Sequence, residues 1–317
     1  MTPERRYGPP DAWSAPRYAG VRTFARCPHV TDMDGVDAAV FGVPFDTATS
    51  YRPGARFGPE AIRSASTLLR PYHPPLDVNV FERLSVVDGG DLAVTPGNAE
   101  RTAGQIASGL APVLDAGVTP LLLGGDHSIT LGALRAHARA GSPLALVLLD
   151  AHADTWDEYY GERYFHGTVF RRAVEEGLVA PERSLIAGVR GPIYSPEDLN
   201  GPRELGFELL TGAELLSLDP GDYARRVRDR VGDARPYLSF DVDFVDPAFA
   251  PGTGTPEVGG PTSAQALALV RSLAGIEFAG FDVVEVSPPY DGPGQVTSLL
   301  AANVAFDFLA LTALARG

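Results

Sequence analysis

Cysteine is almost absent from this chain: Cys27 is the single one among 317 residues. One thiol cannot close an intramolecular disulfide, so a disulfide-stapled secreted scaffold is excluded and a reducing, cytoplasmic setting is expected. Positive charge is also short, with 26 Lys+Arg against 40 Asp+Glu and a formal net charge of -14. That balance opposes nucleic acid and anionic membranes as partners and leans toward a cationic small molecule. Apolar runs are strand-length and fall short of the ~20 residues a bilayer-spanning helix needs. The N-terminal MTPERRYGPPDAWSAPRYAG has no apolar signal-peptide core, and its prolines favour an extended arm over residues 1–35. No repeat period, low-complexity tract or linker divides the remainder, which reads as one domain over 36–317.

With 44% hydrophobic and 21% charged residues, the chain can fill a large core while keeping the charge of an ordinary soluble enzyme. From residue 36 onward, apolar runs alternate with helical patterns. DAAVFGVPFD, LSVVDGGDLAV, GVTPLLLGGDH, LALVLLDAHAD, SLIAGVR, FELLT, PYLSFDVDF and EFAGFDVVEVSP read as strands. Between them lie helices such as one entered near Pro59, NAERTAGQIASGLAPVLDAG with a break or kink expected at Pro112, DYARRVRDRVG and SAQALALVRSLAG. TSLLAANVAFDFLALTALARG closes the chain as a long amphipathic helix. Such alternation gives an α/β fold whose mostly parallel sheet is covered on both faces, and such sheets bind ligands beyond the carboxyl ends of their strands.

Several of those strand ends carry metal-ligand chemistry. Asp150, His152 and Asp154 alternate in LALVLLDAHAD, Asp241 and Asp243 alternate in PYLSFDVDF, and His127 ends PLLLGGDH. Side chains two apart on an extended chain share a face, so each run can aim its oxygen and nitrogen atoms at one point. A single aspartate after a strand is an ordinary cap or turn residue. Three coincident strand ends are another matter, because crowded, buried carboxylates repel one another unless cations neutralise them. Six O and N donors with no cysteine nearby suit two divalent cations per chain, such as Mn²⁺, with Asp154 and Asp243 expected to help bridge the pair. A mononuclear zinc enzyme would use only Asp150, His152 and Asp243, leaving His127, Asp154 and Asp241 without a task.

GGDHSIT, DAHADT, SFDVDFVDPAFAPGTGTPEVGG and DVVEVSPPYD, in this order from about Val36 to the C-terminus, resemble the ureohydrolase family of arginases and agmatinases, its agmatinase-like branch above all. The resemblance implies a three-layer α/β/α sandwich with about eight mostly parallel strands. It also implies a binuclear manganese centre and a homo-oligomer, trimer or hexamer. Position by position it implies metal ligation by His127, Asp150, His152, Asp154, Asp241 and Asp243, proton shuttling by His166 in YFHGT, and guanidinium binding by Glu285 in DVVEVSP. The chemistry is coherent. A guanidinium carbon is a poor electrophile, and two cations bridging a water lower its pKa to supply hydroxide. Asp154 would orient that hydroxide, Glu285 would grip the planar guanidinium through two parallel hydrogen bonds, and His166 at the pocket mouth would relay a proton to the leaving amine. The ordinary alternatives are a surface-loop histidine at 166 and a salt bridge between Glu285 and an arginine of RPGAR. Asp126 could accept from a ligand histidine, whereas His29, His73 and His137 read as surface residues.

Substrate choice should rest on TWDEYYGERYF, residues 155–165. Arginases are similar to one another here in offering Asn and Ser to the amino-acid end of arginine. This chain has Trp156 near the Asn position and no SGN before the histidine. A mouth carrying Asp157, Glu158 and Glu162, with Trp156 as an apolar wall, is expected to take the second cation of agmatine, releasing urea and the polyamine putrescine. Arg163 or an arginine of RPGAR could instead hold a carboxylate tail, as the substrates of guanidinobutyrase, guanidinopropionase and proclavaminate amidinohydrolase require. A catalytically silent, regulatory relative is the remaining reading, which the intact set of ligands with His166 and Glu285 opposes.

Overall fold

The computed structural model describes residues 7–139, 141 and 143–316. Its strands are β1 (Ala38–Val43), β2 (Tyr72–His73), β3 (Val78–Asn79), β4 (Val86–Asp91), β5 (Thr119–Gly124), β6 (Ala145–Leu149), β7 (Leu185–Val189), β8 (Glu208–Thr211), β9 (Pro236–Asp241) and β10 (Gly280–Val284). β2 and β3 form a small antiparallel pair, and the other eight make one sheet in the order β4-β1-β5-β10-β9-β6-β7-β8. Every pairing in that sheet is parallel.

All residues of β1, β5, β6, β7, β9 and β10 are buried, which is why these strands read as unbroken apolar runs. Alternate side chains feed opposite layers. Val40, Leu121, Val147 and Phe240 join one, while Phe41, Leu122, Leu148 and Val284 join the other. Helices Gly58–Ser66, Pro220–Val231, Ser263–Ser272 and Val296–Ala315 contribute to the first layer, and Ala99–Asp115, Thr130–Ala138 and Val169–Glu175 to the second. The result is the expected α/β/α sandwich.

Three local expectations need correction. Helix Ala99–Asp115 runs unbroken through Pro112, which falls in its last turn, where Ala116 N–H still closes onto the Pro112 carbonyl at 3.2 Å. Helix Val296–Ala315 is apolar all round rather than amphipathic. It is long and apolar enough to cross a membrane, yet its most apolar window is 78% buried within the fold, so its composition answers to a core that surrounds it. His73 and His137 are buried, while His29 is exposed as expected. His73 Nε2 lies 2.5 Å from Asp307 Oδ1 on that C-terminal helix, and Arg271 Nε donates to Asp307 Oδ2 at 2.9 Å. The one acid in the apolar helix is thereby partnered on both oxygens.

The N-terminal arm, of which residues 1–6 lie outside the described residues, docks on the sheet edge through Asp88 of β4. Phe24 N–H donates to Asp88 Oδ2 at 2.7 Å and Val30 N–H to the Asp88 carbonyl at 3.1 Å. Arg63 clamps the same carboxylate from helix Gly58–Ser66, with Nε at 2.8 Å from Oδ2 and Nη2 at 3.0 Å from Oδ1. Both side chains are nearly fully buried. Arg63→Ala should therefore cost about 3–5 kcal/mol, the usual penalty for stranding one partner of a buried pair. Urea denaturation reads this directly; an unchanged midpoint would mean that the arm's N–H groups alone satisfy Asp88.

Candidate active site

The strand order sets β5, β10, β9 and β6 side by side. Their carboxyl ends deliver His127 after β5, Glu285 after β10, Asp241 and Asp243 from β9, and Asp150, His152 and Asp154 after β6. Gly125 makes the first of these turns possible: a Cβ there would lie 2.3 Å from the Phe45 carbonyl and 2.5 Å from that of Val43. Only glycine lets the chain pass so close to the end of β1 before swinging His127 inward. Asp154 (φ 50) and Glu285 (φ 63) hold left-handed backbone, a strain that clusters at functional sites. Glu285 is fixed in it by its N–H bond to the Gly125 carbonyl at 2.9 Å.

The donors form two groups, His127 with Asp150 and Asp154, and His152 with Asp150 and Asp243. His127 Nδ1 lies 3.1 Å from Asp150 Oδ2, 3.0 Å from Asp154 Oδ2 and 3.3 Å from Asp241 Oδ2. His152 Nδ1 lies 3.1 Å from Asp243 Oδ2 and 3.5 Å from Asp150 Oδ1. Asp150 thus turns one oxygen to each group. Of the carboxylates, Asp150 falls in both groups, while Asp154 and Asp243, expected to help bridge two ions, fall in one each. Asp150 directly follows β6, two residues before His152 on the same segment, and reaches His127 across the ends of β9 and β10.

Burial pushes the carboxyl pKa of Asp154, Asp241 and Asp243 above the usual carboxylate value, with neighbouring carboxylates adding to the push. For Asp150 burial acts the same way, but contacts with His127 and His152 overcome it and hold the group low. Among these atoms His127 Nδ1 and Asp150 Oδ2 are buried without a hydrogen-bond partner. Imidazole nitrogens and carboxylate oxygens crowded into two overlapping groups fit a pair of divalent cations with oxygen and nitrogen ligands.

Beside this cluster opens a cavity of about 650 Å³, with His152, Asp154, Asp241 and His166 among its lining residues. His166 is 9% exposed and sits in the lining, more deeply set than a residue of the mouth. Its Nδ1 lies 3.0 Å from Glu285 Oε1, and its Nε2 accepts from Ser50 N–H at 3.1 Å with Ser50 Oγ at 2.9 Å. Burial opposes its charge, but Glu285 prevails and raises the imidazole pKa to about 8. Glu285 has no arginine partner among the described residues. Oε1 accepts from His127 N–H at 2.9 Å and faces His166, whereas Oε2 is buried with no hydrogen-bond partner among the described residues. Asp126 does not serve the His127 ring; it accepts from Ser128 N–H at 3.1 Å and Ala48 N–H at 3.0 Å.

The model of the Arginase family matches residues 36–311. The chain belongs to the arginase family. It lies on the agmatinase-like branch, being 45% identical over 299 residues to the guanidinobutyrase of Pseudomonas aeruginosa, with 93% of each chain covered. It is 43% identical over 301 residues to the mitochondrial agmatinase of Gallus gallus, covering 95% of this chain and 88% of that one. Its fold superposes on proclavaminate amidinohydrolase from Streptomyces clavuligerus with a TM-score of 0.89 and 44% identity, covering 95% of this chain and 100% of that one. It is an arginase-family amidinohydrolase, from a family that works with a binuclear metal centre.

The wall of this arginase-family cavity differs from the expected acidic mouth. Trp156 does line it, stacked on Tyr159 at 5.0 Å and donating from Nε1 to Asp198 Oδ1 at 2.8 Å. Asp157, Glu158, Glu162 and Arg163 are exposed and absent from the lining. Asp157 is drawn off by the buried guanidinium of Arg172, and Arg163 pairs with Glu175 at 2.7 Å. The loop reverses at Tyr160 and Gly161, both at positive φ, with Tyr159 and Glu162 bridged across it. That reversal sends Tyr159 inward and the acids outward. Ser50, Arg52, Tyr194, Arg190 and Glu257 line the cavity instead. Their only signal in the sequence is proximity to motifs, Arg52 in RPGAR and Glu257 in GTGTPEVGG.

Because Asp150 falls in both donor groups, Asp150→Asn should weaken binding of both divalent ions. Asp154→Asn and Asp243→Asn should each weaken one. The losses should exceed the about 10–100-fold typical of outer-sphere partners. Calorimetric metal titration of chelator-stripped protein measures this, and loss of both ions from either single-group variant would restore the bridging first expected there.

Proposed function

We propose that the chain hydrolyses a linear guanidino compound to urea and a primary amine, with two Mn²⁺ ions held by His127, Asp150, His152, Asp154, Asp241 and Asp243. The observation that carries this reading is the bare Oε2 of Glu285, a buried carboxylate oxygen awaiting a cationic donor beside the donor cluster. The ions, when bound, lower the pKa of a water to make it nucleophilic near neutral pH. Glu285 does the holding. With Oε1 occupied by His127 N–H and facing His166, Oε2 is the atom left for a guanidinium N–H, so the grip is one-sided in place of the expected two parallel bonds. Asp154 lines the cavity floor, where its carboxylate can accept a hydrogen bond from the attacking oxygen and orient it. His166 shares Glu285 with the guanidinium. A pKa near 8 keeps it able to give a proton to the leaving nitrogen.

For the tail, the wall favours a guanidino acid. Arg52 lies 5.3 Å from the centroid of the Tyr51 ring and 5.1 Å from that of Tyr290, and no carboxylate pairs with it among the described residues. A half-buried guanidinium of this kind, set in the cavity wall without an acidic partner, suits a substrate carboxylate. The guanidinobutyrase and proclavaminate amidinohydrolase relatives fit that class. Agmatine is the second reading, favoured by Glu257 in the same wall; its charge, however, faces Arg190.

Urea release from 4-guanidinobutyrate, 3-guanidinopropionate, agmatine and arginine should give the highest kcat/KM for a guanidino acid. Arg52→Gln should raise KM for that acid about tenfold or more with less change in kcat. Agmatine as the fastest substrate would overturn the tail assignment and leave the chemistry standing. His166→Ala should lower kcat about 10²–10⁴-fold with a modest change in KM, whereas Glu285→Gln should damage both. Normal turnover by His166→Ala across pH would assign the proton to another group.

A further inference from the structure

Behind His127, on the side away from the carboxylates, runs a chain of buried hydroxyls that ends on an acid. His127 Nε2 lies 2.9 Å from Ser239 Oγ, and Ser239 Oγ donates to Asp282 Oδ1 at 2.5 Å. The other oxygen of Asp282 accepts from Thr130 Oγ1 at 2.7 Å and Tyr237 OH at 3.0 Å. His127, Thr130, Tyr237, Ser239 and Asp282 are all 0% exposed. Four polar residues sealed in a core otherwise built of valine, leucine and phenylalanine need a reason, since each is satisfied only by the others.

Direction supplies the reason. A serine hydroxyl has one proton, and Ser239 gives it to Asp282, so toward His127 it can only accept. A neutral imidazole then carries its proton on Nε2, which leaves Nδ1 as the lone-pair nitrogen turned to the oxygens of Asp150, Asp154 and Asp241. The arrangement is built into the sheet, because Asp282 of β10 stands opposite Ser239 of β9 in the strand register. Thr130, three residues after His127, ties the same acid to the segment that carries the histidine.

We propose that Asp282 is a positioning residue that, through Ser239, fixes the tautomer and ring orientation of His127 for metal binding. This rests on the reading of His127 as a metal donor. Asp282→Asn offers the sharpest test, since an amide N–H can donate to Ser239, free that hydroxyl to donate to Nε2, and so drive the proton to Nδ1. Selective ¹⁵N labelling of histidine reports the tautomer in metal-free native protein, and Mn²⁺ titration of native, Asp282→Asn and Ser239→Ala proteins reports affinity. Native His127 should be protonated on Nε2. Asp282→Asn should weaken one of the two ions about 10–100-fold and leave the other, on His152, nearly unchanged, with Ser239→Ala losing less. A native Nδ1–H tautomer overturns the proposal, and needs no variant to fold. So does native affinity for both ions in folded Asp282→Asn. A native protein that binds no divalent ion sinks the metal reading beneath it, while an inverted tautomer with normal binding sinks the positioning role alone.

Discussion

Asp150 turns one oxygen toward His127 and the other toward His152, and the surrounding structure is arranged to keep this divided carboxylate in place. Its position needs β6 to end beside β9, and β9 beside β10, in fixed register. A parallel sheet buried on both faces meets that demand, because a slip of one residue would turn apolar side chains out of one layer into the other. The repulsion among neighbouring aspartates is thus resisted by the sheet that brings them together, and relieved by the cations the donors suit.

In the proposed function, chemistry and choice of substrate reside in different parts of the molecule. The donor atoms and Glu285 stand on strand ends, where geometry is rigid. Trp156, Tyr159, Arg52 and Glu257 come from loops that line the cavity above. On that reading Glu285 links the two levels, for one of its oxygens is spent on His127 N–H and His166, and the other is left for the guanidinium. Relatives with different named substrates can therefore share one hydrolytic centre and vary the wall.

The strands and the donor set are legible in the sequence because period-two spacing and unbroken apolar runs are local signals, and Asp150, His152 and Asp154 carry both. The order of the strands is not local, so neither is the fact that Asp150, rather than Asp154 or Asp243, is common to both groups. The loop after Asp154 is harder still. Its acids look like a mouth on paper, but the buried Arg172 takes Asp157 and a two-residue reversal turns the rest to solvent. His73 and His137 illustrate the same gap, as nothing next to them in sequence announces Asp307 or the core beneath Gly280. Ser239 and Asp282 lie within recognisable motifs, yet their partnership exists only across the β9–β10 pairing.

The C-terminal helix Val296–Ala315 has a consequence for how the protein is made. Every strand of the sheet precedes it in the chain, so a ribosome delivers the layer around Leu121, Phe281 and Val283 before the helix that completes its cover. Until then the nascent domain holds an apolar face open, and the same surface that later gives the core its cohesion invites association with other growing chains. Productive folding becomes a race between arrival of this twenty-residue, mostly apolar helix and capture of the face it belongs to.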